Sequence, residues 1–194
     1  MQLKIEEREK MKIIFLDIDG VLTYDGYENH EAAHIDENKV ELLAEIVKET
    51  DSKIVLISSW RGRFINGSYV HPKIYYIMVK ILQKHGLSID DIVPYINVEI
   101  TDKRDTSSLT LNDLSKIEIN PETGRAAEVH QWLCNHPEIK HFVILDDEDN
   151  AWDYYGYEKY WIQPNYYDKN GGLSQEHVNR AIAILQNGDD KTLQ

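Results

Sequence analysis

The chain has little of what would commit it to several large classes of protein. It carries a single cysteine, Cys134, so it can form no internal disulfide, and a disulfide-braced secreted fold is excluded. No run approaches the roughly 18 to 20 consecutive apolar residues that a membrane-spanning helix needs, and Met1–Lys10 lacks the apolar stretch of a signal peptide. Positive charge is scarce: 21 Lys and Arg stand against 34 Asp and Glu, a formal net charge of −13. Such a surface repels polyanions at long range, so no large nucleic-acid footprint is expected, only a local basic patch at the mouth of a site. The expectation is a soluble, cytoplasmic protein with no membrane contact.

What is present suits one domain. A chain of 194 residues at 42% apolar composition can bury one core of ordinary size. The domain is expected over residues 11–186, after a charged leader at 1–10 and before a polar tail at 187–194. Cys134 follows Val129 and Leu133 at helical spacing and reads as a half-buried packing residue.

Ile13–Leu16, Ile54–Ile57 and Phe142–Leu145 are continuous apolar runs, the pattern of strands buried on both faces of a parallel sheet. Ile92–Ile96, with Pro94 at its end or edge, and Tyr160–Ile162 are weaker strand candidates. Apolar residues recur at helical spacing from Val40 to Val47, from Ile74 to Leu82 before Gly86, from Gly124 to Asn135, and from Val178 to Leu185. Residues 99–123 are polar and read as a small lid or an excursion. The alternation predicts an α/β fold: a three-layer, Rossmann-like domain around a central, mostly parallel sheet.

Ligands of open α/β sheets bind beyond the carboxyl ends of the strands. Here those ends carry Asp17 and Asp19, Ser58 and Ser59, and Asp146 and Asp147, while Arg125 opens the helix before the Asp146 strand. Each has a blander reading alone: a turn, a strand cap, a solvated loop or a first-turn cation. Together they meet the needs of phosphate-monoester hydrolysis, which requires a nucleophile, a leaving-group acid and charge neutralisation. Asp17 can attack phosphorus to form an aspartyl-phosphate, and Asp19 can protonate the leaving oxygen and then activate water. A carboxylate approaching an anionic phosphate needs a cation between them, which calls for Mg²⁺ held by Asp17 and Asp146. Ser58 and Arg125 can bind the remaining phosphoryl oxygens.

These residues resemble, in order and strand context, the four motifs of the haloacid dehalogenase (HAD) superfamily of phosphatases. Asp17-Ile18-Asp19-Gly20 matches the first motif; Ser58 matches the second, with Ser59 as an alternative; Arg125 matches the third; Asp146-Asp147 matches the fourth. The resemblance spans roughly residues 11 to 165. It implies a metal set of Asp17, Asp19, Asp146 and Asp147, with Asp146 a direct ligand and Asp147 its supporting partner. Ser58-Ser59-Trp60-Arg61, Thr123-Gly124-Arg125, Val143–Asp147 and Gly172-Leu173-Ser174 are similar to the HAD domain found beside RNA-repair modules. That finer likeness implies a phosphorylated substrate of the nucleotide or nucleic-acid-end class.

Trp60 and Arg61, directly after the phosphate-binding serine, are candidates to grip the leaving group. The aromatic residues from Trp152 to Tyr167 offer either base stacking or packing of the last strand. His30 and His34 are four apart but lack a helical apolar face, so zinc is not expected. The short stretch between Gly20 and Val40 leaves no room for a large cap, which suits a bulky leaving group. A phosphatase of small phosphorylated metabolites, or a phosphate-binding module without turnover, are the alternatives.

Overall fold

The computed structural model describes residues 11–65, 68–96, 122 and 124–187. The expected leader at 1–10, nearly all of the 99–123 excursion and residues 188–194 of the tail lie outside the described residues. Among the described residues, no helix is long and apolar enough to cross a membrane.

Five strands form one parallel sheet: β1 (Lys12–Leu16), β2 (Lys53–Leu56), β5 (Ile89–Ile92), β6 (His141–Leu145) and β7 (Trp161–Ile162), in the order β5-β2-β1-β6-β7. Separately, β3 (Arg63–Ile65) pairs antiparallel with β4 (Ser68–Val70). The helices are α1 (Glu37–Thr50), α2 (Lys73–Lys84), α3 (Arg125–Asn135) and α4 (Gln175–Asn187).

Successive residues of a strand face opposite sides of the sheet, so a continuously apolar strand must be covered twice. Ile14, Leu16, Ile54, Leu56, Val143 and Leu145 pack under α1, α2 and α4. Ile13, Phe15, Val55, Ile57, Phe142 and Ile144 pack on the other face against α3 and Trp152. The result is the expected three-layer α/β architecture. From β1 the chain steps outward to β2 and β5 with helices on one face, then returns past β1 to β6 with α3 on the other. Strand order therefore reverses between β1 and β6, which opens a crevice at their carboxyl ends.

The structure shifts some expected boundaries. β5 lies at Ile89–Ile92, earlier than Ile92–Ile96, because Pro94 has no N–H to give to a ladder; just past the strand the Val93 amide bonds the Leu56 carbonyl at 3.0 Å. Tyr160 belongs to a short 3₁₀ turn, leaving Trp161 and Ile162 as β7. The antiparallel pairing of β3 with β4 is an addition to the expected elements, since their sequences carry no strong alternation. Cys134 is exposed rather than half-buried, because α3 turns Ala126, Val129 and Trp132 to the sheet and leaves Cys134 outside that stripe.

Candidate active site

The pairing of β1 with β6 sets the site. Leu16 and Leu145 are partners in register, so Asp17 and Asp146 leave adjacent strands side by side, and the Asp17 amide still bonds the Leu145 carbonyl at 2.9 Å. Both continue the alternation of Phe15 and Ile144, toward the face covered by α3. Arg125, the first residue of α3, reaches down between them. Its Nη1 lies 2.9 Å from Asp17 Oδ2 and 2.7 Å from Asp146 Oδ2.

Asp146 is fully buried and is held by three donors: Arg125, the Glu148 amide at 3.0 Å and Asn150 Nδ2 at 3.1 Å. Burial pushes its pKa up to about 7; Arg125 opposes that rise and the Asp17 charge adds to it. Asp147 is half-buried and is pushed up to about 6, first by burial and then by the charges of Asp17 and Glu148. Burial works against the Arg125 charge, yet Asp146 and Asp17 hold its pKa above the ordinary arginine value.

Carboxylate oxygens of Asp17, Asp146 and Asp147 lie within 4.8 Å of one another. Among the described residues, Asp17 Oδ1 is buried without a hydrogen-bond partner, although its other oxygen is bound to Arg125. An unpaired buried oxygen is costly unless something outside the chain satisfies it. Gly20, at φ +69°, supplies the close approach: a Cβ there would overlap the Asp147 carboxylate.

Asp19 does not join that cluster. Its carboxylate turns to Trp60, whose indole Nε1 donates to Oδ2 at 2.8 Å, and to Thr23, whose hydroxyl donates to Oδ1 at 3.3 Å. Burial raises the Asp19 pKa, and the Trp60 hydrogen bond opposes the rise. The acidic trio thus does not include Asp19, which the sequence reading placed in the metal set and whose carboxylate oxygens bond Trp60 and Thr23 here.

Ser58 is fully buried just past β2, where its Oγ accepts from the Trp60 amide at 3.3 Å and caps the 3₁₀ turn Ser59–Arg61. That bond leaves the hydroxyl proton of Ser58 to donate. Ser59 is exposed on the turn.

Arg61 is the candidate that the structure does not bring to the site. Only 2% exposed, it donates to the Ile57 carbonyl at 2.6 Å, pairs with Glu128 at 2.5 Å and stacks over Tyr95 at 3.7 Å. Its guanidinium braces the interior through these contacts. Thr23 and Asn150 were missed by sequence reading. Asn150 follows Asp146 by four residues within an acidic loop, a weak signal; Thr23 gives none, since its role depends on where the loop after Gly20 returns.

The sequence model of a family described as "HAD domain in Swiss Army Knife RNA repair proteins" matches residues 13–178. Comparison with curated proteins and with solved structures gives no match.

Proposed function

The chain belongs to this family, whose function is of the phosphatase type, and on that premise we propose a Mg²⁺-dependent phosphomonoesterase working through an aspartyl-phosphate. The proposed substrate is a phosphate at a nucleotide or nucleic-acid end, which the RNA-repair association of the family supports. One observation carries the reading: Asp17 is fixed by Arg125 through one oxygen, while its other oxygen is buried, unpartnered among the described residues and close to two further carboxylates.

The residues fit a divalent cation. Three carboxylates face one guanidinium, which leaves negative charge in excess, and an all-oxygen donor set suits Mg²⁺. Asp17, Asp146 and Asp147 would hold it. Bound there, Mg²⁺ would supply charge neutralisation on the phosphoryl oxygens as the nucleophile approaches.

The chain's own groups account for the proton and bond movements. The Asp17 carboxylate attacks phosphorus as the ester P–O bond breaks, and protonated Asp19 gives its proton to the departing oxygen. A water then attacks the same phosphorus while Asp19 takes its proton; the bond to Asp17 breaks, and inorganic phosphate leaves. The raised pKa of Asp19 supports the first of its two roles. Arg125 and the Ser58 hydroxyl hold phosphoryl oxygens, where charge gathers in the transition state. Residues 11–186 are taken as one domain that carries the whole site.

Phosphate release measured with Mg²⁺ against nucleotides, end-phosphorylated oligonucleotides and sugar phosphates tests this directly. Release is expected from the first two classes and is expected to vanish in Asp17→Asn or on chelation. No release from any monoester, or an Asp17→Asn variant as active as the parent, sinks the reading.

A further inference from the structure

Beside Asp19 lies a groove of about 360 Å³, at the small end of the 300 to 1,000 Å³ that is typical of ligand pockets. Asp19 and Trp60 belong to its wall, so the groove is continuous with the candidate active site. Three half-buried tyrosines, Tyr24, Tyr27 and Tyr166, complete an aromatic lining, and Asp25 and Glu28 add carboxylates. No lysine or arginine lines it among the described residues.

Two of the aromatic rings are pinned before any ligand arrives. Trp60 is held by its bond to Asp19, and the Tyr24 hydroxyl donates to Asp36 Oδ2 at 3.2 Å. Lys39 lies over the Tyr24 ring at 5.2 Å, and Tyr27 stands beside Tyr24 with ring centroids 5.8 Å apart. Rings held in place lose little further freedom on binding, which favours a flat aromatic ligand over a flexible one.

Charge narrows the class further. Asp25 and Glu28, with no lysine or arginine in the lining among the described residues, would repel a second phosphate or a length of phosphodiester backbone. The same carboxylates accept hydrogen bonds from the exocyclic amines and ring N–H groups of nucleobases. An aliphatic sugar phosphate would leave the aromatic faces uncovered.

We propose that this groove binds a single nucleoside, the one whose phosphate is removed, with its base against Tyr24, Tyr27, Trp60 and Tyr166. The assignment rests on the reading of Asp19 as the leaving-group acid, because that reading makes this the side on which the alcohol departs. Any longer chain attached to that nucleoside leaves the groove toward solvent.

Calorimetric titration of the Asp17→Asn protein with the 3′- and 5′-monophosphates of adenosine and cytidine, and with ribose 5-phosphate, tests the site without turnover. At least one nucleotide is expected to bind about tenfold tighter than ribose 5-phosphate, the order expected of one stacked base. In Tyr27→Ala and Tyr166→Ala that ratio is expected to fall toward one. Because it is a ratio within one protein, a partial loss of folded material does not distort it, and the kcat/KM ratio of the parent enzyme across the same panel provides a second measure.

Equal binding of ribose 5-phosphate and all four nucleotides, or a ratio unmoved in both tyrosine variants, overturns the proposal. The two readings fail separately. A parent protein that releases no phosphate yet keeps its nucleotide preference ends the phosphatase reading and upholds the nucleoside groove. Equal kcat/KM across the panel ends the nucleoside groove and leaves the phosphatase.

Discussion

Trp60 Nε1 donates to Asp19 Oδ2 at 2.8 Å, tying the turn after β2 to the loop after β1 across 41 residues of sequence. This bond fixes where the Asp19 carboxyl points and holds its pKa below the level that burial alone would set. Trp60 is thus a positioning residue for the acid as well as a wall of the groove.

Trp60→Phe keeps an aromatic ring and removes the donor. Without that bond the acid is no longer held in place, so kcat/KM is expected to fall by about tenfold or more. The Asp19 pKa rises further without the indole, so the alkaline limb of the pH–kcat/KM profile moves to higher pH. A lower plateau with an unmoved limb contradicts the role assigned to this bond.

Mg²⁺ affinity is expected to climb with pH through about 6 to 7. Asp147 is raised to about 6 and Asp146 to about 7, and both must shed a proton to act as ligands. Below those values each bound proton weakens binding by about tenfold per pH unit. Calorimetry near pH 6.5 in buffers of different ionisation enthalpy reads the released protons; an affinity flat across this window excludes the two residues as ligands.

Gly20→Ala is expected to weaken Mg²⁺ binding by about 10- to 100-fold, because the new methyl displaces the Asp147 carboxylate from beside Asp17 and Asp146. Gly86→Ala is the control. Gly86 also has positive φ, +75°, but nothing among the described residues lies within 4 Å of its Cβ position, so the change costs only about 1 to 2 kcal/mol of stability. Metal affinity and urea midpoints measured on both variants separate displacement from backbone strain.

Arg61→Met or Glu128→Leu alone leaves the other charge buried and is expected to cost about 3 to 5 kcal/mol in urea unfolding. The double variant is expected to lose clearly less than the sum. Additive losses would show that the pair contributes nothing beyond its separate contacts.

The three apolar runs that became β1, β2 and β6 were legible because a strand covered on both faces cannot carry polar residues, and that demand is local to the strand. Asp17, Asp19, Ser58 and Asp146 were legible for a related reason: each is a polar residue just past such a run, and in a parallel sheet those run ends converge on one edge. Arg125 followed from its place at the start of the helix that precedes the last of these strands. The β5 boundary was less legible, because Ile89, Asp90, Asp91 and Ile92 alternate weakly at the edge of the sheet.

Sequence by itself determined the strand order of the chemistry, since burial patterns and strand-end residues are written along the chain. Only the tertiary structure decided the partners of each side chain. Neighbours in sequence were sent to opposite duties: Trp60 to Asp19, and Arg61 into the core beside Glu128. The physical reason is that a side chain's partner depends on the direction in which a turn releases it. Here the direction is set by the Ser58 cap, and what waits there belongs to residues far along the chain.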